Sequence, residues 1–131
     1  MAIIVDTSAV IAVAANEPSK ARLVQLTQGE VLSAAATLPW EVCNAVSAMF
    51  KQRRISLDQG LDLLRQYQQI PITLLDVDLE ESIQLASRLN VYAYDAFVIQ
   101  CAKQAGQRIL SLDGGLREAA KRAGVAVVEV T

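Results

Sequence analysis

Histidine is absent from this sequence. That removes the side chain that most often acts as a general base near neutral pH, and the commonest ligand of transition metals. Cysteine is scarce. Cys43 and Cys101 stand singly, with no CxxC spacing, and each falls in an apolar helical stretch where a buried, reduced thiol is the ordinary outcome. Neither a disulfide nor a zinc site is expected, and the cytoplasm is the expected compartment. A surplus of positive charge is missing too. With 12 Lys and Arg against 14 Asp and Glu, nucleic acid can be met only through a local patch. The longest apolar stretch, around Ala9 to Ala15, is too short to cross a bilayer. The start, Met1 to Asp6, lacks the basic opening of a signal peptide and meets a charge at once. No membrane partner is expected, and no repeat, low-complexity tract or linker interrupts the chain.

What is present is a chain of 131 residues, 53% of them hydrophobic, enough for one sizeable core. Residues 1–131 are therefore expected to form a single domain. Short β-branched runs at Ala2 to Val5, Val31 to Ser33, Ile72 to Leu75, Ile109 to Leu112 and Val125 to Val130 read as strands. Helical patterns lie between them. One opens at Asp6-Thr7-Ser8. A second begins at Asn16 or Glu17, with Pro18 in its first turn. A third follows Thr37, with Val42, Ala45, Val46, Met49 and Phe50 as its apolar stripe. Ser56 to Gln59 has the form of a capping box, and Asp78 caps another helix. A helix from Tyr94 closes at Gly106, and a last one follows Asp113. Strands alternating with helices predict an α/β fold, a three-layer α/β/α domain with a mainly parallel central sheet.

In such sheets ligands bind beyond the carboxyl ends of the strands. Asp6 follows the first strand and Asp113 the fourth, while Glu41 and Asp95 each occupy the first turn of a helix that can abut the same rim. Taken singly, each acid has an ordinary role. Asp6 and Asp95 can cap helices, Glu41 can favour a helix dipole or complete a capping box, and Asp113 before two glycines can make a turn. Taken together they form a repelling cluster, which a divalent cation resolves. An all-oxygen donor set suits Mg²⁺ or Mn²⁺, and such an ion supports in-line hydrolysis of a phosphodiester without a His or Lys base.

Four short motifs carry a resemblance. Ile3-Ile4-Val5-Asp6-Thr7-Ser8, Trp40-Glu41-Val42, Tyr94-Asp95-Ala96-Phe97 and Leu110-Ser111-Leu112-Asp113 occur in that order over nearly the whole chain. With them the sequence resembles the PIN-domain proteins, in particular the VapC ribonuclease toxins of toxin–antitoxin pairs. The resemblance implies a PIN-like fold and an Mg²⁺- or Mn²⁺-dependent endoribonuclease with Asp6, Glu41, Asp95 and Asp113 as metal-holding catalytic residues. It implies Thr7, Ser8 and Ser111 as hydrogen-bonding support for those carboxylates. It also implies an RNA substrate, a cognate antitoxin protein as partner, and a homodimer. In one departure, Gly114 and Gly115 stand where some relatives carry a further acid, which leaves the number of metals open.

Lys51, Arg53 and Arg54 after the Glu41 helix, and Arg117, Lys121 and Arg122 on the last helix, are candidate phosphate contacts, although basic helix ends also suit the dipole. Tyr92 and Tyr94 can stack a base or pack, and Trp40 can wall the pocket or be buried. Two rivals stand beside the nuclease. A phosphohydrolase with an acidic metal pocket lacks support, because Asp6 is followed by Thr7 and Ser8 and not by a second acid. A non-catalytic PIN-fold binding module would have no use for four clustered acids.

Overall fold

Ala2–Val5 forms β1, whose Ile3, Ile4 and Val5 are all buried. The computed structural model describes residues 2–130, so Met1 and Thr131, the two ends of the expected domain, lie outside the described residues. The order continues with α1 (Thr7–Ala14), α2 (Lys20–Thr27), β2 (Val31–Ala35), α3 (Leu38–Lys51), α4 (Leu57–Gln68) and β3 (Ile72–Leu75). It closes with α5 (Leu79–Leu89), α6 (Ala93–Ala105), β4 (Arg108–Leu110) and α7 (Gly114–Arg122).

The sheet runs β3-β2-β1-β4 and every pairing is parallel. Ile4 is paired with Ser33 on one side and Ile109 on the other. Alternation along β1 divides the core. Ile3 and Val5 pack with α1, α3 and α4 residues such as Val10, Val42 and Leu63. Ile4 packs instead with Leu85, Ile99 and Leu116 of α5, α6 and α7. Helices on both faces make the expected three-layer α/β/α arrangement. Each fully buried Ile contributes roughly 1.5–3 kcal/mol. An exposed ion pair such as Arg65–Asp62 contributes under about 1 kcal/mol. Apolar burial therefore holds the frame.

Local signals explain most boundaries. Ser56 and Gln59 make both bonds of the capping box (3.1 and 2.9 Å). Asp78 caps α5, and Gly106 ends α6 in the left-handed region. Four expectations change. Asn16 adopts φ 56°, which an Asn tolerates, so the second helix starts after Ser19 and Pro18 precedes it. β4 stops at Leu110, and beyond it the Leu112 and Asp113 N–H groups turn to serine hydroxyls. Val125 to Val130 is not a ladder strand. It meets β4 through a single bridge, Ile109 to Val127, with two hydrogen bonds of 2.9 and 2.8 Å, because β4 is only three residues long. Cys101 is buried as expected, with its thiol pushed up to about 11 by burial, but Cys43 is exposed. Cys43 follows Val42, and a helix turn of about 100° per residue carries it off the inward stripe.

The connectivity fixes where a site forms. From β1 the chain builds outward through β2 and β3, then returns to lay β4 on the other side of β1. The crevice beyond β1 and β4 is thus the topological switch point, the place where open α/β sheets bind ligands.

Candidate active site

Asp6 sits in that crevice and is 6% exposed. It caps α1, accepting the Ala9 N–H at Oδ1 (3.0 Å). Two serines complete its surroundings. Ser8 Oγ lies 2.7 and 3.0 Å from the two carboxylate oxygens, and Ser111 Oγ donates to Oδ2 at 2.5 Å. Each serine also accepts a backbone N–H from the loop after β4: Leu112 donates to Ser8 at 2.9 Å and Asp113 donates to Ser111 at 3.0 Å. Two hydroxyls thereby relay the loop's N–H groups onto one carboxylate. Asp6 is a cap and a member of the cluster at once, so the two readings of it coexist.

The other acids arrive from different elements. Asp113 caps α7 with Oδ1, which accepts the Gly115 N–H at 3.0 Å. Glu41, in the first turn of α3, accepts the Thr37 hydroxyl at Oε2 (2.8 Å). It makes no reciprocal capping box, since Thr37 gives no side-chain cap. Asp95 lies in the first turn of α6 behind Tyr92, which occupies the cap position, and its carboxylate accepts no hydrogen bond among the described residues. All four line one cavity of about 550 Å³. Glu17 lines it as well, and Arg54 is the single basic side chain there.

The electrostatics record this convergence. Burial raises the Asp6 pKa, against the lowering effect of Ser111, Ala9 and Ser8, and the charge of Asp113 raises it further. Burial also raises Glu41, which feels Asp6 and Asp95, and Asp95, which feels Asp113. Each of the four is thus coupled to another. Thr7 lowers Glu41 through its proximity, yet its Oγ1 is buried and meets no partner at hydrogen-bonding geometry. None of the four carboxylates forms an ion pair among the described residues.

The donor set fits a hard divalent cation: carboxylate oxygens, a threonine oxygen that is buried without a hydrogen bond, and acidic charge that no ion pair among the described residues neutralises. Among the described residues no three acidic or thiol side chains stand near enough to enclose one ion as placed.

The basic candidates divide. Lys51, Arg53 and Arg54 are exposed at the end of α3, and Arg54 reaches the cavity. Arg117 and Lys121 pair with Glu129 (3.3 and 3.8 Å), and Arg122 donates to the Leu89 carbonyl (3.1 Å). Thr37 and Glu17 are absent from the sequence-derived set. Thr37 was detectable as a hydroxyl one helical turn before Glu41. Glu17 had no local signal, because it comes from the α1–α2 turn.

The raised carboxyls predict a pH dependence. A group whose pKa is higher in the folded chain binds its proton preferentially there, so its stabilisation is complete below the ordinary value and is lost as pH rises through the folded value. The ordinary values are 3.8 for Asp and 4.5 for Glu. Metal-free protein should therefore lose stability at this site as pH climbs above that range, while metal binding needs the same groups deprotonated. Millimolar Mn²⁺ should raise Tm little near pH 4.5 and several degrees near pH 7, by mass action on the native state. Thermal denaturation with and without Mn²⁺ at both pH values checks this; equal shifts at the two would contradict it.

The family model described as PIN domain matches residues 3–122. No curated protein sequence matches significantly. Among solved structures, PAE2754 from Pyrobaculum aerophilum superposes with a TM-score of 0.76 at 21% identity, over 98% of this chain and 84% of its own. VapC20 of Mycobacterium tuberculosis, described as a sarcin-ricin loop cleaving toxin, gives 0.69 at 17%, over 98% and 99%. FitAcB from Neisseria gonorrhoeae gives 0.67 at 18%, over 97% and 96%. At these identities the likeness is one of fold.

Proposed function

The chain belongs to the PIN-domain family, and on that premise we propose that it is a metal-dependent endoribonuclease, a single PIN-like domain acting as the toxin of a toxin–antitoxin pair. One observation carries the reading: four carboxylates from the ends of β1 and β4 and the starts of α3 and α6 line one cavity, each coupled to another. The resemblance to VapC20, itself described as a cleaving toxin, supports the activity class. The antitoxin partner, homodimer and cytoplasmic location rest on the sequence resemblance.

Asp6, Glu41, Asp95 and Asp113 would hold Mg²⁺ or Mn²⁺. When bound, the ion supplies positive charge to the phosphoryl oxygens and lowers the pKa of water. The chain's own residues prepare for it. Ser8 and Ser111 fix the plane of Asp6, and Thr37 steers Glu41 by holding Oε2. Gly115 likewise anchors one oxygen of Asp113 and leaves the other open. Arg54, which lines the cavity, would offer charge to a phosphate backbone there, and Lys51 and Arg53 are exposed close to it in sequence.

The test is cleavage of a labelled single-stranded RNA pool in EDTA and in millimolar Mn²⁺ or Mg²⁺. Metal-dependent cuts within the strand are expected. Cleavage of equal rate in EDTA would remove the metal from the mechanism, and an intact pool across varied sequences would remove the ribonuclease.

A further inference from the structure

Only six aromatic residues occur in the chain, and two of them stand exposed at one place. Trp40 is 71% and Tyr94 is 54% exposed. They line a cleft of about 520 Å³ that shares Thr7, Glu41 and Ala45 with the carboxylate cavity. Each aromatic is the chain neighbour of a cluster acid, Trp40 of Glu41 and Tyr94 of Asp95, so the helix starts that place the acids also place the rings. Tyr94 is braced edge-on by Phe97, at 5.8 Å and 84°. Asn44 lies one turn after Trp40 and lines the same cleft, and its exposed amide has no partner among the described residues.

We propose that the cleft between Trp40 and Tyr94 takes one unpaired nucleobase of the RNA strand whose scissile phosphate enters the adjoining carboxylate cavity. This rests on the ribonuclease reading. The cleft has no Lys or Arg and contains Glu41, so its chemistry disfavours an anion and suits a flat, neutral group. Aromatic faces stack bases without regard to sequence, and a free amide offers a donor and an acceptor to a base edge. A base inside a duplex has both faces covered and cannot enter. Continuity with the carboxylate cavity favours nucleic acid over a protein occupant.

Trp40 is the only tryptophan, so its emission reports on the cleft directly. The protein is titrated in EDTA with a short single-stranded oligoribonucleotide, then with the same strand annealed to its complement. Saturable quenching by the single strand is expected, with binding of the duplex at least about 10-fold weaker. Tyr94→Ala and Asn44→Ala should each weaken single-strand binding, Tyr94→Ala by about 5- to 150-fold, the cost of losing one stacking partner. In cleavage assays Trp40→Ala should raise KM about 10-fold with kcat within about threefold, and Trp40→Phe should restore KM, a rescue by ring character that stacking predicts. Wild-type KM in Trp40→Ala, absence of quenching, or equal quenching by duplex overturns the proposal. Emission that changes with protein concentration alone assigns the cleft to a second copy and overturns it too. Quenching without any cleavage keeps the base site and removes the nuclease; cleavage without quenching does the reverse.

Discussion

Asp6→Asn should reduce metal-dependent RNA cleavage by about 100-fold or more while the protein stays folded. The magnitude follows from how much developing charge a bound metal neutralises in a phosphoryl-transfer transition state. Asp6 is the most buried acid of the cluster and the one held by three side-chain and backbone groups, so the Asn loses charge in the position least able to be replaced by water. Folding should survive, because the Asn oxygen can still accept the Ala9 N–H that caps α1. Stability without metal should hold or rise near pH 7. Burial and the Asp113 charge both oppose ionisation of Asp6, and the amide removes that opposition. Addition of Mn²⁺ should then raise Tm far less than in the parent. The two measurements, single-turnover cleavage and thermal denaturation with Mn²⁺, separate loss of the ion from loss of the fold. Undiminished cleavage in a folded Asp6→Asn protein would sink the assignment of this carboxylate.

Much of this site was legible in the sequence because it is built from local rules. A β-branched run ending in Asp places Asp6 past a buried strand, and Pro39 one residue inside a helix start places Glu41 in the first turn. Those rules also set the strand–helix alternation that makes the sheet parallel and puts helices on both faces. What they could not show is pairing across the chain. The Ser111–Asp6 bond spans 105 positions, and nothing in either local segment announces it. Val125 to Val130 has the composition of a strand, but whether it becomes one depends on the length of its neighbour β4. Cys43 shows the converse limit, since composition alone suggested burial and its position on the face of α3 decided exposure.

Ser111→Ala should cost stability and activity together, by a route that runs through Asp6. Ser111 is 0% exposed, and its hydroxyl both donates to Asp6 Oδ2 and accepts the Asp113 N–H. Alanine leaves the Asp113 N–H without its partner and Asp6 Oδ2 with only the longer contact to Ser8 Oγ. The cost is about 1–3 kcal/mol, the penalty for an unsatisfied buried polar group. Loss of a group that orients a metal-holding carboxylate typically lowers metal affinity or activity by about 10- to 100-fold. The Asp6 pKa should climb further, because the largest of its lowering hydrogen bonds is removed. The Mn²⁺ concentration needed for half-maximal cleavage should therefore rise, most of all toward acid pH. Ser111→Thr keeps the hydroxyl and should recover most of the activity if the added methyl is tolerated. The sharper check is a double-mutant cycle. If Ser111 acts by positioning Asp6, its removal in the Asp6→Asn background should change cleavage little, since neighbours that work through one group are not additive. Independent, multiplicative losses would mean that Ser111 contributes to catalysis apart from Asp6, and the serine relay would then be a structural brace with a separate function.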